Sequence, residues 1–235
     1  MTPKLITIPT SHYCEKVRWA LDRAKIDYVE EAHAPLFARV KAGGTVPVLV
    51  TDEGKIKDST PILQWIDSRY PLYRDDAPAL EDRFDEGLGV AARVVAFQYI
   101  AAERPLALRI STNGVPRWEA ALARAFFGMA SGILRRRYHV SNAMVEKSLT
   151  ELHRDFEEVS ARLKDGRRYL CGDTFTAADI TFASLSGPVL LPEAPGARLP
   201  TVEEAPPQLA TLARELRATP AGAFALRLYA EERGA

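Results

Sequence analysis

Three short motifs in the first sixty residues hold the side chains best placed to do chemistry. Ser11-His12-Tyr13-Cys14 lies between a strand pattern and a helix pattern. At a helix N-terminus backbone N–H groups lack partners and the dipole favours negative charge. A thiolate set there would be stabilised by those groups and by the Ser11 hydroxyl. A free thiol has a pKa near ~8.5, and lowering it by about two units needs roughly 2.7 kcal/mol. The thiolate is the nucleophile, so such a shift would catalyse thiol addition or displacement. The plain alternative is an N-cap serine with no catalytic part. Cys14 reads as a buried small apolar residue, and with serine in place of a first cysteine no disulfide cycle can run within Ser11-x-x-Cys14. Val46-Pro47 opens a strand where proline cannot donate to a ladder. A cis bond there would turn the Val46 backbone toward a ligand's backbone. In Asp58-Ser59-Thr60-Pro61, Ser59 reads as the N-cap of a helix with proline in its first turn. Its free N–H groups suit a carboxylate and Asp58 suits an ammonium; the plain alternative is a capped helix.

The elements that must position these groups follow from periodicity. Strands are expected at residues 4–8, 27–31, 46–50 and 55–57, the last two joined by an Asp52-Glu53-Gly54 turn. Helices are expected at 14–25, 36–41 and 59–70. The order β-α-β-α-β-β-α gives a βαβ unit with a parallel pair, then a hairpin and a covering helix. Residues 71–78 read as a linker. Beyond them no strand pattern stands out, and helices are expected at 80–102, 117–137, 141–163, 176–186, 208–218 and 221–232. The fold class is α/β followed by all-α, with domains at 1–75 and 80–235. The segments 105–116 and 188–207 fit no element.

Composition narrows the partners. The 235 residues carry 31 basic and 31 acidic side chains, a formal net charge of zero. A general affinity for nucleic acid or anionic membrane needs a basic excess. The run Arg135-Arg136-Arg137 reads as a solvated helix C-terminus. Two cysteines far apart cannot build a disulfide framework, which favours a reducing compartment. The apolar stretch 177–191 holds Asp179 and Pro188 and is too short to span a bilayer. With no secretory pattern at the N-terminus, the cytoplasm is the expected location. His12, His139 and His153 show no ligand spacing for zinc, and no metal is expected.

In order and spacing the chain resembles the glutathione transferase superfamily. Ser11-x-x-Cys14-x-x-Val17-Arg18, Val46-Pro47-Val48-Leu49 and Asp58-Ser59 are similar to its glutathione site, and Gly172-Asp173-Thr174-Phe175-Thr176-Ala177-Ala178-Asp179 is similar to its helical-domain capping box. The resemblance implies a thioredoxin-like N-terminal domain and an all-helical domain that forms the second-substrate site. It implies glutathione as co-substrate, with Ser11 as the catalytic hydroxyl of a serine-type enzyme. Val46, before a cis Pro47, would pair with the cysteinyl backbone. Asp58 and Ser59 would hold the γ-glutamyl end, and His33 the glycyl carboxylate. Tyr13 is the rival hydroxyl, expected to pack beneath the site. Thr176 would cap its helix with Asp179 closing the box. A lysine or glutamine often stands in the family where Thr45 stands here, so one glutathione contact is expected to be missing.

The implied function is activation of the glutathione thiol for attack on a small electrophile, by a homodimer without nucleic-acid or membrane partners. A glutathione-dependent isomerase, dehalogenase or lyase stays open on the same residues, as does a non-catalytic binding or regulatory protein on the same fold.

Overall fold

The computed structural model describes residues 2–194 and 198–234. A four-stranded mixed sheet, order β2-β1-β3-β4, forms from β1 (Lys4–Thr7), β2 (Val29–Ala32), β3 (Val48–Thr51) and β4 (Gly54–Lys57). β1 runs parallel to β2 and antiparallel to β3, and β3 pairs antiparallel with β4. Helices α1 (His12–Arg23), α2 (Pro35–Ala42) and α3 (Ser59–Asp67) connect and cover the strands. This is the expected thioredoxin-like arrangement.

The sheet register decides which loops meet. Ile6 on β1 pairs with Val48, the first residue of β3, so the chain entering α1 lies beside the chain entering β3. Val48 also pairs with Lys57, the last residue of β4, which puts Asp58 beside Pro47. Thr7 pairs with Ala32, which carries His33 to the same end. All three motifs are therefore gathered at one end of the sheet by hydrogen-bond register alone.

The remainder is helical: α4 (Ala77–Glu86), α5 (Leu88–Ile100), α6 (Arg104–Ser111), α7 (Arg117–Ala125), α8 (Phe127–Arg137), α9 (Asn142–Arg162), α10 (Ala177–Leu190), α11 (Pro207–Arg217) and α12 (Pro220–Glu231). Several expectations need correction. The helix expected over 80–102 is two, α4 and α5, broken at Gly87 with ψ near −83°. The helix expected over 117–137 is also two, broken at Phe126. Residues 105–116, which fitted no element, contain most of α6, begun with a proline in its first turn. The cap of α3 is Asp58, not Ser59; its carboxylate accepts from Ser59 N–H at 2.6 Å. α3 stops at Asp67, whose carboxylate accepts from Leu72 and Tyr73 N–H at 2.6 and 2.9 Å. Part of the 188–207 segment, residues 195–197, lies outside the described residues.

One continuous core runs from the sheet into the bundle, through Leu5, Trp19, Leu63, Phe84, Phe156 and Phe182. Its axis is α10, buried on every side, as an all-round apolar helix must be. This is the stretch too short for a bilayer, and no helix among the described residues is long and apolar enough to cross a membrane. α10 begins with the expected box: Thr176 N–H donates to the Asp179 carboxylate at 2.8 Å.

Candidate active site

Ser11 is the N-cap of α1, with extended backbone and its Oγ accepting from Cys14 N–H at 3.3 Å. Apart from the Cys14 thiol, whose pKa it holds down against burial, its hydroxyl has no acceptor among the described residues. Arg18, one face further along α1 and buried, donates to the Ile8 and Pro9 carbonyls at 3.2 Å each. Glu15 and Glu30 hold the same guanidinium at 3.1 and 2.9 Å. Arg18 thus fixes the loop that presents Ser11. Sequence reasoning recorded Arg18 only as part of a motif and missed this positioning part.

The neighbours of Ser11 are committed elsewhere. Tyr13 donates its hydroxyl to the Asp85 carbonyl at 2.7 Å, and burial pushes its pKa up. Its ring lies so close to α5 that a Cβ on Gly89 would sit 2.5 Å from the hydroxyl oxygen; only glycine fits. His12 pairs through Nε2 with the Gly89 carbonyl at 3.0 Å. Burial and then the Arg93 charge push its pKa down to about 3, so it is neutral at pH 7. Cys14 is fully buried and burial pushes its thiol up, the environment of an inert cysteine.

The Val46–Pro47 peptide is cis. Neither the N–H nor the C=O of Val46 has a backbone partner among the described residues. Asp58 N–H donates to the Pro47 carbonyl at 3.1 Å, which locks the two motifs together. The Asp58 side chain is exposed, while Ser59 is fully buried with its hydroxyl 3.4 Å from the Asp58 carboxylate.

His33 reaches the same end of the sheet and is held from the helical side. Its Nδ1 meets Glu119 of α7 at 2.6 Å, and the other oxygen of Glu119 accepts from Ala34 N–H at 2.9 Å. The imidazole ties the sheet domain to a buried carboxylate of the helical one and lies outside the cavity wall. Glu119 carried no signal in sequence, since its partner is 86 positions away.

Ser11, Thr45 and Val46 open onto a cavity of about 510 Å³ between α2, α5, α6, α7 and α8. The wall is mainly apolar, with Phe37, Phe97, Leu108, Phe127 and Leu134. A largely apolar pocket with a few convergent polar groups is the usual form of a small-molecule site. Behind it, Lys16 is fully buried and meets Glu81 at 2.6 Å and Asp85 at 2.7 Å. Thr60 donates to Asp85 at 2.8 Å, so this cluster joins α1, α3 and α4 beneath Ser11 and Asp58.

Residues 5–81 match the family model for the glutathione S-transferase N-terminal domain, and residues 101–185 match that for its C-terminal domain. No curated protein matches the chain in sequence. Among solved structures it is similar to a glutathione-bound glutathione S-transferase from Methylobacillus flagellatus, 21% identical, TM-score 0.55, covering 95% of this chain and 98% of that one. A glutathione S-transferase from Rhodospirillum rubrum is 20% identical with TM-score 0.56, covering 97% and 98%. The β-etherase LigF from Sphingobium is 18% identical with TM-score 0.55, covering 97% and 99%. At these identities the likeness is one of fold.

Proposed function

The chain belongs to the glutathione S-transferase family, and we propose that it activates the glutathione thiol at Ser11 for attack on a small electrophile held in the cavity. The observation that carries this reading is the Ser11 hydroxyl. It caps α1, has no oxygen acceptor among the described residues, and opens onto an apolar cavity beside the Val46 backbone, which has no backbone partner among them.

The residues fit glutathione. Val46 offers an N–H and a C=O as a strand would, suited to the cysteinyl backbone. Asp58 offers an exposed carboxylate to the γ-glutamyl ammonium. The Thr60 N–H at the start of α3, which has no backbone partner among the described residues, would meet the adjoining carboxylate, with Ser59 placing it through its own bond to Asp58. Bound glutathione supplies the thiol nucleophile. Ser11 would donate its hydroxyl hydrogen bond to the sulfur, and the His12 and Tyr13 N–H groups add the positive end of the α1 dipole. The thiol proton leaves to solvent. The apolar wall keeps water from the nucleophile and collects the electrophile. His33, bound to Glu119 through Nδ1, keeps its Nε2, which has no hydrogen-bond partner among the described residues, for the glycyl carboxylate. Transfer, isomerisation, dehalogenation and ether cleavage share the thiolate step, and product analysis with a substrate panel separates them. Family membership extends the proposal to a homodimer in the cytoplasm, checked by light scattering and fractionation.

The test is calorimetry of glutathione binding, then thiolate absorbance of the bound form against pH. Ser11→Ala is expected to keep affinity within several-fold and raise the thiol pKa by about one to two units, because a hydrogen bond to a charged group is worth roughly 1.5–3 kcal/mol. Turnover of a reactive aryl halide near neutral pH falls by about one to two orders of magnitude and partly recovers at high pH. Tyr13→Phe is expected to leave the thiol pKa unchanged, because that hydroxyl is spent on Asp85. The reverse pattern would assign catalysis to Tyr13.

A further inference from the structure

The cavity wall has an uneven charge. Among the described residues it holds two guanidinium side chains, Arg39 of α2 and Arg93 of α5, and no aspartate or glutamate. The Nε–H of each arginine is buried without a hydrogen-bond partner among the described residues. Arg39 donates to the Tyr138 hydroxyl at 3.0 Å; Arg93 makes no side-chain hydrogen bond or ion pair among the described residues. Both lie against one ring, with Cζ at 5.6 Å and 4.8 Å from the Tyr138 centroid. His12 and Tyr13 also lie next to Arg93; His12 is neutral, and neither supplies an anion to it at pH 7.

Two cations on one aromatic ring in an apolar pocket repel each other, and donors buried without acceptors are costly. The ring faces offset only part of that cost. An anion entering the cavity would relieve it, and the guanidinium fork matches a carboxylate or sulfonate. The apolar remainder of the wall calls for an apolar body on the same molecule.

We propose that the second-substrate site selects electrophiles built from an apolar, aromatic-sized body and one carboxylate or sulfonate, held by Arg93 with Arg39. The proposal rests on the reading above only in taking this cavity as the electrophile site. For an anionic aryl chloride, the glutathione sulfur bonds to the ring carbon, the C–Cl bond breaks, chloride leaves with the electron pair, and the thiol proton goes to solvent.

The test compares biphenyl-4-carboxylate with biphenyl-4-carboxamide by calorimetry, first without glutathione. Wild type is expected to bind the carboxylate about ten- to a hundred-fold tighter, the range of a charge-assisted pair. Arg93→Met should lose most of that preference while holding the carboxamide within about two-fold, and Arg93→Lys should keep part of it. Glutathione affinity and the bound thiol pKa should not move in either variant. With glutathione present, Arg93→Met should raise KM for 4-chloro-3-nitrobenzoate and leave that for 4-chloro-3-nitrobenzamide. Equal wild-type affinity for the acid and the amide overturns the proposal, and needs no folded variant. So does a preference that survives in Arg93→Met, or a raised thiol pKa there with the preference intact, which would assign the cation to glutathione. Wild type that prefers the acid but does not bind glutathione keeps the anion site and removes the transferase reading.

Discussion

Asp58 sits at φ 79° and ψ 153°, backbone territory that a side chain enters at a cost of about 1–3 kcal/mol. The strain is held by two bonds, its N–H to the Pro47 carbonyl and its carboxylate to Ser59 N–H. A glycine would adopt the same angles freely and lose only a few tenths of a kcal/mol as an N-cap. Asp58→Gly is therefore expected to stabilise the protein by about 1 kcal/mol in urea unfolding. The same change removes the carboxylate proposed for the γ-glutamyl ammonium, and glutathione affinity should fall at least about ten-fold, as for loss of a charged hydrogen bond. A variant that loses stability would show that Asp58 is held for the fold, and one with unchanged glutathione affinity would remove Asp58 from the ligand site. At this scale the sequence was most legible where a motif is local. Ser11 and the Val46-Pro47 pair announce themselves through helix-cap and strand-start chemistry that needs no distant partner. Arg39, Arg93 and Tyr138 could not be read, because nothing in their own neighbourhoods says that three helices bring them to one ring.

The capping box of α10 is the element-scale counterpart. Asp179 is fully buried; its oxygens accept from Leu170 N–H, Thr176 N–H and the Thr176 hydroxyl at 2.8, 2.8 and 3.0 Å. Burial outweighs those bonds and pushes its pKa up from 3.8 to about 6. The folded state then binds more protons than the unfolded one between those values, so stability falls as pH rises through that window. Over the whole window the change is roughly 3 kcal/mol. The measurement is unfolding free energy from pH 4 to 7 for wild type and Asp179→Asn, whose difference should carry this slope; parallel curves would mean Asp179 is ionised throughout. Thr176→Ala should cost about 0.5–2 kcal/mol without altering glutathione binding. This box was readable because a cap and its N3 partner lie within one turn. The helix breaks were not. Gly87 and Phe126 stand inside runs whose apolar spacing continues on both sides, and only packing decides that α4 and α5, or α7 and α8, turn away from each other. The helix expected over 176–186 runs further, through Pro188 to Leu190.

Across the whole molecule, α1 is the part everything else is fastened to. Its N-terminus carries Ser11, Lys16 meets the acids of α4, and its outer turns are gripped from the far end of the chain. Arg233 donates to Glu15 at 2.6 Å and to Asp22 at 2.8 Å. The Glu232 carbonyl accepts from Trp19 Nε1 at 3.2 Å, and its carboxylate takes Arg23 at 2.8 Å and the Tyr169 hydroxyl. Glu15 in turn holds Arg18, which holds the carbonyls of the loop that presents Ser11. Arg233 is therefore coupled to the loop that presents Ser11 through two buried ion pairs. Removing one partner of a buried pair costs about 3–5 kcal/mol because the other charge is stranded; here Glu15 keeps Arg18, so Arg233→Ala should cost toward the lower end, about 3 kcal/mol. If the chain of pairs transmits position, the variant should also raise the bound thiol pKa at temperatures well below its melting point. Arg233→Ala with Glu15→Gln should cost less than the sum of the single changes, since the stranded carboxylate is gone. Unfolding curves give the first quantity, thiolate absorbance the second, and a double-mutant cycle the third. Loss of stability with an unmoved thiol pKa would make the C-terminal grip a fastening of the helix alone, and additive costs would break the link between Arg233 and Glu15.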